Sequence, residues 1–334
     1  MGDRSRFPII ADLLFLISAV LAGAGPSEAQ VKVRMGSSLS PPALESLTPY
    51  IAIEQGMFKK VGLDVEMVEF RGDTTNTKAL LAGEVDVSIN LGATNGMVAA
   101  SKGAKIKLFV VTQSVTPYTF VARKEAGTTL QALMGKNIAV SSIGAISYHI
   151  PRIVFERNGL DPDKMQYVAV GSPADRFKAL VAGKIDATVV TNTEAAKLAA
   201  YPDIVALVQV PKVVPEIPYN FGMAREEYIE KHLDTMYKLT KALIEANRWG
   251  GTNKAGVLEV AKKVRKDEPV EVFSKAYDLC HPGIWDPNGD ISEAAYKYTS
   301  DFLLKVGYMN EPVPFDKFFD RRFVDQALKE LGRK

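Results

Sequence analysis

A turn rich in serine and glycine, S-S-I-G-A-I-S-Y-H at residues 141–149, has the residue types of a site for a small anion. It follows a predicted strand and leads into a predicted helix, so backbone N–H groups and the positive end of the helix dipole would point outward together. Ser142 or Ser147 could equally serve only as the N-cap of that helix. The candidate ligand-binding residues of this turn are Ser141, Ser142, Gly144, Ala145, Ser147 and Tyr148.

Hydroxyl, amide and small residues also follow the other predicted strands. In open α/β sheets, ligands bind beyond the carboxyl ends of the strands. Side chains of these types suit neutral hydrogen bonds to a ligand. We therefore predict further ligand-binding residues at these strand ends and at the crossing between the two halves, namely Ser38, Ser40, Asn90, Gly92, Ala93, Thr94, Gln113, Thr191 and Asn192.

Arg71 is the cation of greatest interest, because it ends the second β run and its forked guanidinium suits a carboxylate or a sulfonate. A solvated loop arginine is the alternative interpretation. His149 could also reach the cleft, although a hydrogen-bonded or solvent-facing role is favoured. The histidines lack metal-ligand spacing, and no nucleophile, phosphate-loop or dinucleotide motif occurs. We therefore predict no metal, no cofactor and no catalytic residue.

An internal repeat provides the elements that would position these residues. The run KALLAGEVDV at 78–87 matches KALVAGKIDA at 178–187, at an offset of 100 residues. Each half alternates strand and helix periods in the order βαβαβ. This order predicts an α/β fold in which each half has three parallel strands in one sheet with helices on its faces.

Two extended passages predict a hinge between the halves. They lie at 108–124, interrupted at Pro117, and at 215–224, and they would let returning chain complete the first lobe. From Arg225 onward the pattern is nearly all helical, and we expect this tail to pack on the first lobe. The predicted domains are a signal peptide at 1–29, lobe 1 at 30–117 and 218–334, and lobe 2 at 118–217.

The first 29 residues predict a secretory signal peptide. Arg4 and Arg6 precede an apolar run at 13–25 that is shorter than the ~20 residues needed to cross a bilayer, and small residues before Gln30 suit cleavage. An uncleaved anchor is the alternative. The formal net charge is +2 without a basic stripe, which argues against nucleic acid as a partner. Cys280 is the only cysteine, so an intramolecular disulfide is excluded.

Two runs of residues carry a resemblance to a known family. They are A-I-E-Q-G-M-F-K-K-V-G-L-D-V-E through A-L-L-A-G-E-V-D-V in the first half, and G-L-D-P followed by A-L-V-A-G-K-I-D-A in the second. About residues 31–225 resemble the SsuA/THI5-like (NMT1-like) substrate-binding proteins of ABC transporters. The resemblance implies a two-lobed type II periplasmic-binding-protein fold with a helical C-terminal tail, which closes on its ligand like a Venus flytrap.

The resemblance also implies a function: a monomeric periplasmic protein that delivers a small solute to an ABC permease and ATPase. Sulfonates, carboxylates, nitrate and pyrimidines all suit a cleft of hydroxyls and amides, so the solute class stays open, with an anionic or aromatic solute favoured.

Two other functions remain open. THI5-type and menaquinone-pathway enzymes resemble this architecture, and fold alone does not decide function. The signal peptide, the lack of the cysteine-rich iron-binding stretch of THI5 enzymes and the lack of an acid/base pair favour a binder over an enzyme. A TAXI-type receptor of a TRAP transporter, or a sensor subunit, would also bind a small solute. Neighbouring genes would distinguish these systems.

Overall fold

The computed structural model describes residues 1–2 and 30–334. Val31–Lys334 form one compact unit, to which the following description refers. The predicted signal peptide at 1–29 lies outside the described residues apart from its first two.

The unit alternates strands and helices in its first two thirds and is helical in its last third. The strands are β1 Val31–Ser37, β2 Leu63–Glu69, β3 Val87–Gly92, β4 Ile106–Gln113, β5 Thr119–Arg123, β6 Asn137–Val140, β7 Gln166–Ala169, β8 Ala187–Val190, β9 Ile204–Gln209 and β10 Asn220–Arg225. The α-helices are α1 Thr48–Glu54, α2 Met57–Lys60, α3 Asp73–Ala82, α4 Ala93–Ser101, α5 Ile146–Arg157, α6 Pro173–Val181, α7 Asn192–Ala195, α8 Val210–Val213, α9 Glu226–Lys231, α10 Leu233–Thr252, α11 Lys254–Val264, α12 Val270–Asp278, α13 Glu293–Lys305, α14 Phe315–Phe318 and α15 Arg322–Leu331.

Two mixed sheets confirm the predicted α/β fold. Sheet A has the strand order β2-β1-β3-β10-β4, and sheet B has the order β7-β6-β8-β5-β9. In both, the first three strands are parallel and the fourth is antiparallel to both of its neighbours. The two orders are the same once β10 is equated with β5, so the repeat in the sequence is also a repeat in the structure.

The chain crosses between the sheets twice, from β4 to β5 and from β9 to β10. On its return, β10 inserts between β3 and β4 and pairs antiparallel with both. Sheet A is therefore completed only by chain that follows the last strand of sheet B. We call sheet A with its helices lobe 1 and sheet B with its helices lobe 2; the exact limits given above for the lobes stay a prediction.

Equivalent residues close the same connections in both halves. Gly83 and Gly183 end α3 and α6 with φ values of +79° and +70°, a left-handed conformation that glycine adopts at low cost. Asp86 then accepts a hydrogen bond from the backbone N–H of Arg34 at 2.8 Å, and the corresponding Asp186 accepts one from an N–H of β6 at 2.9 Å. These carboxylates fix the start of a strand against its neighbour.

The helical tail packs on lobe 1 and also contacts lobe 2. Buried residues of α10 share one core with β4 of sheet A. After α13, however, Tyr308 packs edge-on against His149 of α5 with ring centroids 4.6 Å apart. His149 is fully buried there without a hydrogen-bond partner among the described residues, and burial lowers its pKa to about 3. It is therefore a neutral core residue rather than the solvent-facing or cleft residue considered from the sequence.

Gly222, in the returning strand β10, has too little space around it for a side chain. A Cβ at Gly222 of β10 would lie 2.5 Å from Val110 Cγ1 and 3.0 Å from Ile89 Cδ1. We expect Gly222→Ala to lower the free energy of unfolding by about 1–3 kcal/mol, since overpacking strains a dense core. Urea denaturation measures this change. An unchanged midpoint would show that β3 and β4 can shift to accommodate the added methyl group.

Candidate ligand-binding cleft

A small cavity lies between the lobes, beyond the carboxyl ends of β1, β3 and β6. Its volume is about 20 Å³, which is about the space of one water molecule. At its edge the Thr74 and Ser142 hydroxyls hydrogen-bond across the lobes at 3.0 Å, so a solute larger than water requires the lobes to separate. The lining residues are Ser38, Leu39, Gly72, Asp73, Asn90, Tyr118, Ser141, Ile146, Ser172, Pro173, Arg176, Tyr219 and Asn220.

Arg176 of α6 is the cation of the cavity wall. It is 1% exposed and donates to Thr188 Oγ1 at 3.2 Å, to the Gly171 carbonyl at 2.7 Å and to the Val189 carbonyl at 3.0 Å. All three acceptors are neutral, and no carboxylate within residues 30–334 forms a salt bridge with it. A guanidinium has five N–H donors, so part of the fork stays available. A buried cation without a counter-ion is costly, which favours an anionic partner.

The sequence analysis did not single out Arg176, because it lies inside the helix of the repeat motif. At the offset of 100, Arg176 corresponds to Asn76 and Thr188 to Ser88. Asn76 bonds the Ser88 hydroxyl at 2.7 Å and donates to Ser38 Oγ at 3.0 Å. The two lobes therefore share one helix-to-strand contact, and an amide in lobe 1 is replaced by a guanidinium in lobe 2. The change from Asn76 to Arg176 at matched positions of the repeat is the sequence signal that could have identified Arg176.

Asp73, the first residue of α3, faces the cavity from lobe 1. It is 7% exposed, and its Oδ1 accepts a hydrogen bond from the N–H of Gly92 at 2.8 Å. Burial raises the pKa of its carboxyl, while the Gly92 N–H, the Ser38 hydroxyl and the charge of Arg176 oppose that rise. A Cβ at Gly92 would lie 2.8 Å from Asp73 Oδ2, so the close approach requires glycine.

Two tyrosines of the crossing segments complete the wall. Tyr118 precedes β5 and Tyr219 precedes β10; both are 3% exposed, and their rings pack edge-on with centroids 5.1 Å apart. Burial raises the pKa of Tyr118 to about 12 and that of Tyr219 well above its ordinary value. Both phenols keep their protons at neutral pH and can donate hydrogen bonds.

Three residues predicted from the sequence line the cavity: Ser38, Asn90 and Ser141. Asn90 has a φ of +54°, and its Nδ2 donates to the Ser46 carbonyl at 3.2 Å. Its buried Oδ1 has no hydrogen-bond partner in the part of the chain that the structure describes. Asn90 therefore offers an amide acceptor, and Ser141 offers a hydroxyl that is shared with Ser147 at 2.8 Å.

Other predicted residues hydrogen-bond to the lining residues without lining the cavity themselves. Ser147 Oγ accepts from the Ser141 N–H at 2.8 Å, and Gln113 Oε1 accepts from Asn220 Nδ2 at 2.7 Å. The N–H of Ala93 donates to the Tyr219 carbonyl at 3.0 Å. The predicted residues that are buried without lining the cavity are Gly92, Ala93, Thr94, Gln113, Ala145, Ser147, Thr191 and Asn192.

A further group of predicted residues lies away from the cavity. The side chain of Arg71 is 74% exposed and lies at the cleft rim, where its Nη1 is 4.0 Å from Asp175 Oδ2. Tyr148 packs against Tyr167 with centroids 4.8 Å apart, on the side of α5 that meets the tail. Ser40, Ser142 and Gly144 are likewise not among the lining residues.

Comparison with known proteins identifies the family. The sequence model of the NMT1/THI5-like family matches residues 16–249. The chain belongs to the NMT1/THI5-like family. A relative from Bacillus subtilis (strain 168), the candidate binding protein YtlA, is 24% identical over 84% of this chain and 86% of its own.

Solved structures show the fold of this NMT1/THI5-like protein. The alkanesulfonate-binding protein SsuA from Xanthomonas axonopodis pv. citri, bound to MOPS, aligns with a TM-score of 0.72 at 17% identity, covering 88% of this chain and 98% of that one. The periplasmic nitrate-binding protein NrtA from Synechocystis PCC 6803 aligns with a TM-score of 0.73 at 14% identity, covering 91% of this chain and 89% of that one. The predicted two-lobed periplasmic-binding-protein fold is thus confirmed.

The predicted residues Thr191 and Asn192 lie at a second contact between the lobes. Glu45 of lobe 1 is fully buried, and its Oε1 accepts from the N–H of Asn192 at 2.6 Å. Glu194 of α7, 2% exposed, accepts from the Thr191 hydroxyl at 2.6 Å. Burial and the nearby charge of Glu194 raise the pKa of Glu45 to about 8, although the Asn192 N–H opposes this rise.

This buried carboxyl predicts a pH dependence of stability. Because the folded-state pKa of Glu45 lies above the ordinary value of 4.5, folding takes up a proton between these values, and the free energy of unfolding falls as the pH rises from about 5 to about 8. We expect a slope of at most about 1.4 kcal/mol per pH unit from this group. Glu45→Gln keeps an acceptor for Asn192 and should flatten the slope in urea denaturation series. Glu84→Gln, at an exposed carboxylate, is the control; equal slopes in all three proteins would exclude Glu45 as the cause.

Proposed function

We propose that this chain is the periplasmic solute-binding component of an ABC importer, which captures a small organic solute by its anionic group and delivers it to the permease. The observation that carries the proposal is Arg176. Its guanidinium is 1% exposed, lines the cavity between the lobes and has no salt-bridge partner within the described chain. A carboxylate or sulfonate of the solute would supply the missing counter-ion.

The neutral groups around Arg176 suit the same ligand. Tyr118 and Tyr219 present phenol hydroxyls, and Ser141 presents a hydroxyl from lobe 2. Hydrogen bonds to a charged group are worth more than neutral ones in such a buried place. The two buried aromatic rings would also contact the organic part of the solute.

The names of two structural neighbours support an anionic solute. One is an alkanesulfonate-binding protein bound to MOPS, and the other is a nitrate-binding protein. Both are below 20% identical to this chain, so their ligands serve here as hypotheses.

Binding would be coupled to closure by the two crossings. The solute would enter when the lobes separate around the segments that precede β5 and β10, and would then contact Arg176 from lobe 2 and the strand ends of lobe 1 at once. Only contacts that differ between the open and closed forms shift this equilibrium. The closed form would be the one that docks to the permease.

The proposed location rests on the predicted signal peptide and on the periplasmic neighbours. Within the described residues, every helix is too short or too polar to span a membrane. An ABC permease and its ATPase are the proposed partners.

A ligand screen on two arginine variants tests the proposal. Refolded protein is screened by thermal shift against organosulfonates, aliphatic and aromatic carboxylates, nitrate and pyrimidines, and hits are quantified by calorimetry. We expect a saturable rise in Tm for one anionic class, since a ligand that binds only the folded state stabilises it. Arg176→Lys should weaken binding by about tenfold or more, because it keeps the charge but loses the fork. Arg71→Gln, at the exposed rim, should leave affinity unchanged.

Three results would contradict the proposal. Binding that persists in Arg176→Lys and disappears in Arg71→Gln would move the anion site to the rim. Stabilisation by pyrimidines alone would replace the anionic solute with a neutral one. Chemical conversion of a bound compound would favour the enzyme alternative. Circular dichroism of each variant separates loss of binding from loss of folding.

A further inference from the structure

The cavity between the lobes holds two buried groups of opposite charge, one from each lobe. Arg176 belongs to lobe 2, and Asp73 belongs to lobe 1. Both are more than nine-tenths buried, and both line the same small space. They are close enough for the charge of Arg176 to act on the Asp73 carboxyl, yet they form no salt bridge with each other. The described cavity wall therefore carries one positive and one negative formal charge that do not pair directly with each other.

The hydrogen bonds of Asp73 leave part of its carboxylate free. Oδ1 accepts from the Gly92 N–H at 2.8 Å, and the Ser38 hydroxyl is a second donor. A carboxylate has about four acceptor positions, so a donor in the cavity can still be bound. The side chain is held in place by α3 and by Gly92 at the end of β3, which makes its position fixed rather than adaptable.

A simple anion would leave this arrangement unbalanced. Once the anion had paired with Arg176, the buried Asp73 would stand as an uncompensated negative charge beside it, and burying such a charge is costly. A solute that also carries a positive group would pair with both residues at once. It would then connect the lobes electrostatically and add a contact that exists only in the closed form.

Building on the proposed function, we infer that the solute is a zwitterion, whose carboxylate or sulfonate binds Arg176 and whose ammonium group binds Asp73. Asp73 is then the residue that selects amino-substituted anions against plain ones. Its role in holding Gly92 continues alongside this selection, so the test must separate the two roles.

Matched pairs of probes provide that separation. Calorimetry compares ethane-, propane- and butanesulfonate with their ω-amino analogues, and propionate, butyrate and valerate with theirs. We expect at least one amino analogue to bind the wild-type protein about tenfold tighter or more than its plain partner. This comparison needs no variant, so it holds even if a substitution impairs folding.

The Asp73→Asn variant then tests the residue itself. Asn keeps an acceptor for the Gly92 N–H but removes the charge. The ratio of the affinities for the amino analogue and its plain partner should therefore fall close to one. A purely structural role would weaken both members of a pair equally and leave their ratio unchanged, which would overturn the inference. Asp64→Asn, at an exposed carboxylate of β2, is the control and should keep the wild-type ratio.

The outcomes also distinguish this inference from the proposed function. If plain anions bind as well as or better than their amino analogues, and this binding depends on Arg176, the zwitterion is excluded while the anion-binding function stands. If no member of either series binds, and the wider screen also fails, both are overturned. Preference for the amino series in the wild type, lost in Asp73→Asn, supports both.

Discussion

A cation that is kept from water, Arg176, lies where the two lobes meet and constrains both the cavity and the packing of α6 on β8. A guanidinium in this position must be solvated by the protein, and Arg176 reaches this state through one hydroxyl and two backbone carbonyls. These acceptors are dipoles without net charge, so they orient the fork without neutralising it. The same contacts tie α6 to β8, which means that the group suited to bind a solute also helps to define lobe 2. A substitution of Arg176 would therefore change both the proposed binding group and the contact between α6 and β8.

The repeat shows how matched positions of one scaffold can keep a contact and differ in charge. In both lobes a side chain in the second turn of the helix bonds a hydroxyl on the third strand, Asn76 with Ser88 and Arg176 with Thr188. The contact itself is needed wherever the helix returns to the sheet. Replacing the amide with a guanidinium keeps this contact and adds a charge that only lobe 2 presents. Asp73, at the helix start in lobe 1, presents the opposite charge, so the two halves differ where they face each other.

Much of the fold could be predicted from the sequence. Strand and helix periods are local patterns, and the repeat at an offset of 100 residues can be read directly from the sequence. Strand-end logic also identified Ser38, Asn90 and Ser141, which line the cavity. It could not identify Arg176 or Asp73, because both lie in helices, and the sequence does not say how far a helix N-terminus projects into a cleft. The directions of Arg71 and Tyr148 depend on how the lobes and the tail pack, which no local pattern encodes.

In the proposed mechanism closure must also be reversible, because a binding protein that stays shut cannot release its solute. Two of the contacts between the lobes suit this need in different ways. Thr74 and Ser142 meet near solvent, where the exchange of one hydroxyl partner for water costs little. Glu45 is deeply buried, and its Oε2 has no hydrogen-bond partner among the residues described, so the closed form carries an unsatisfied polar atom that opening can hydrate. Under the proposed function, much of the free energy of closure would then come from the solute, which is the condition for a closed state that reports an occupied cleft.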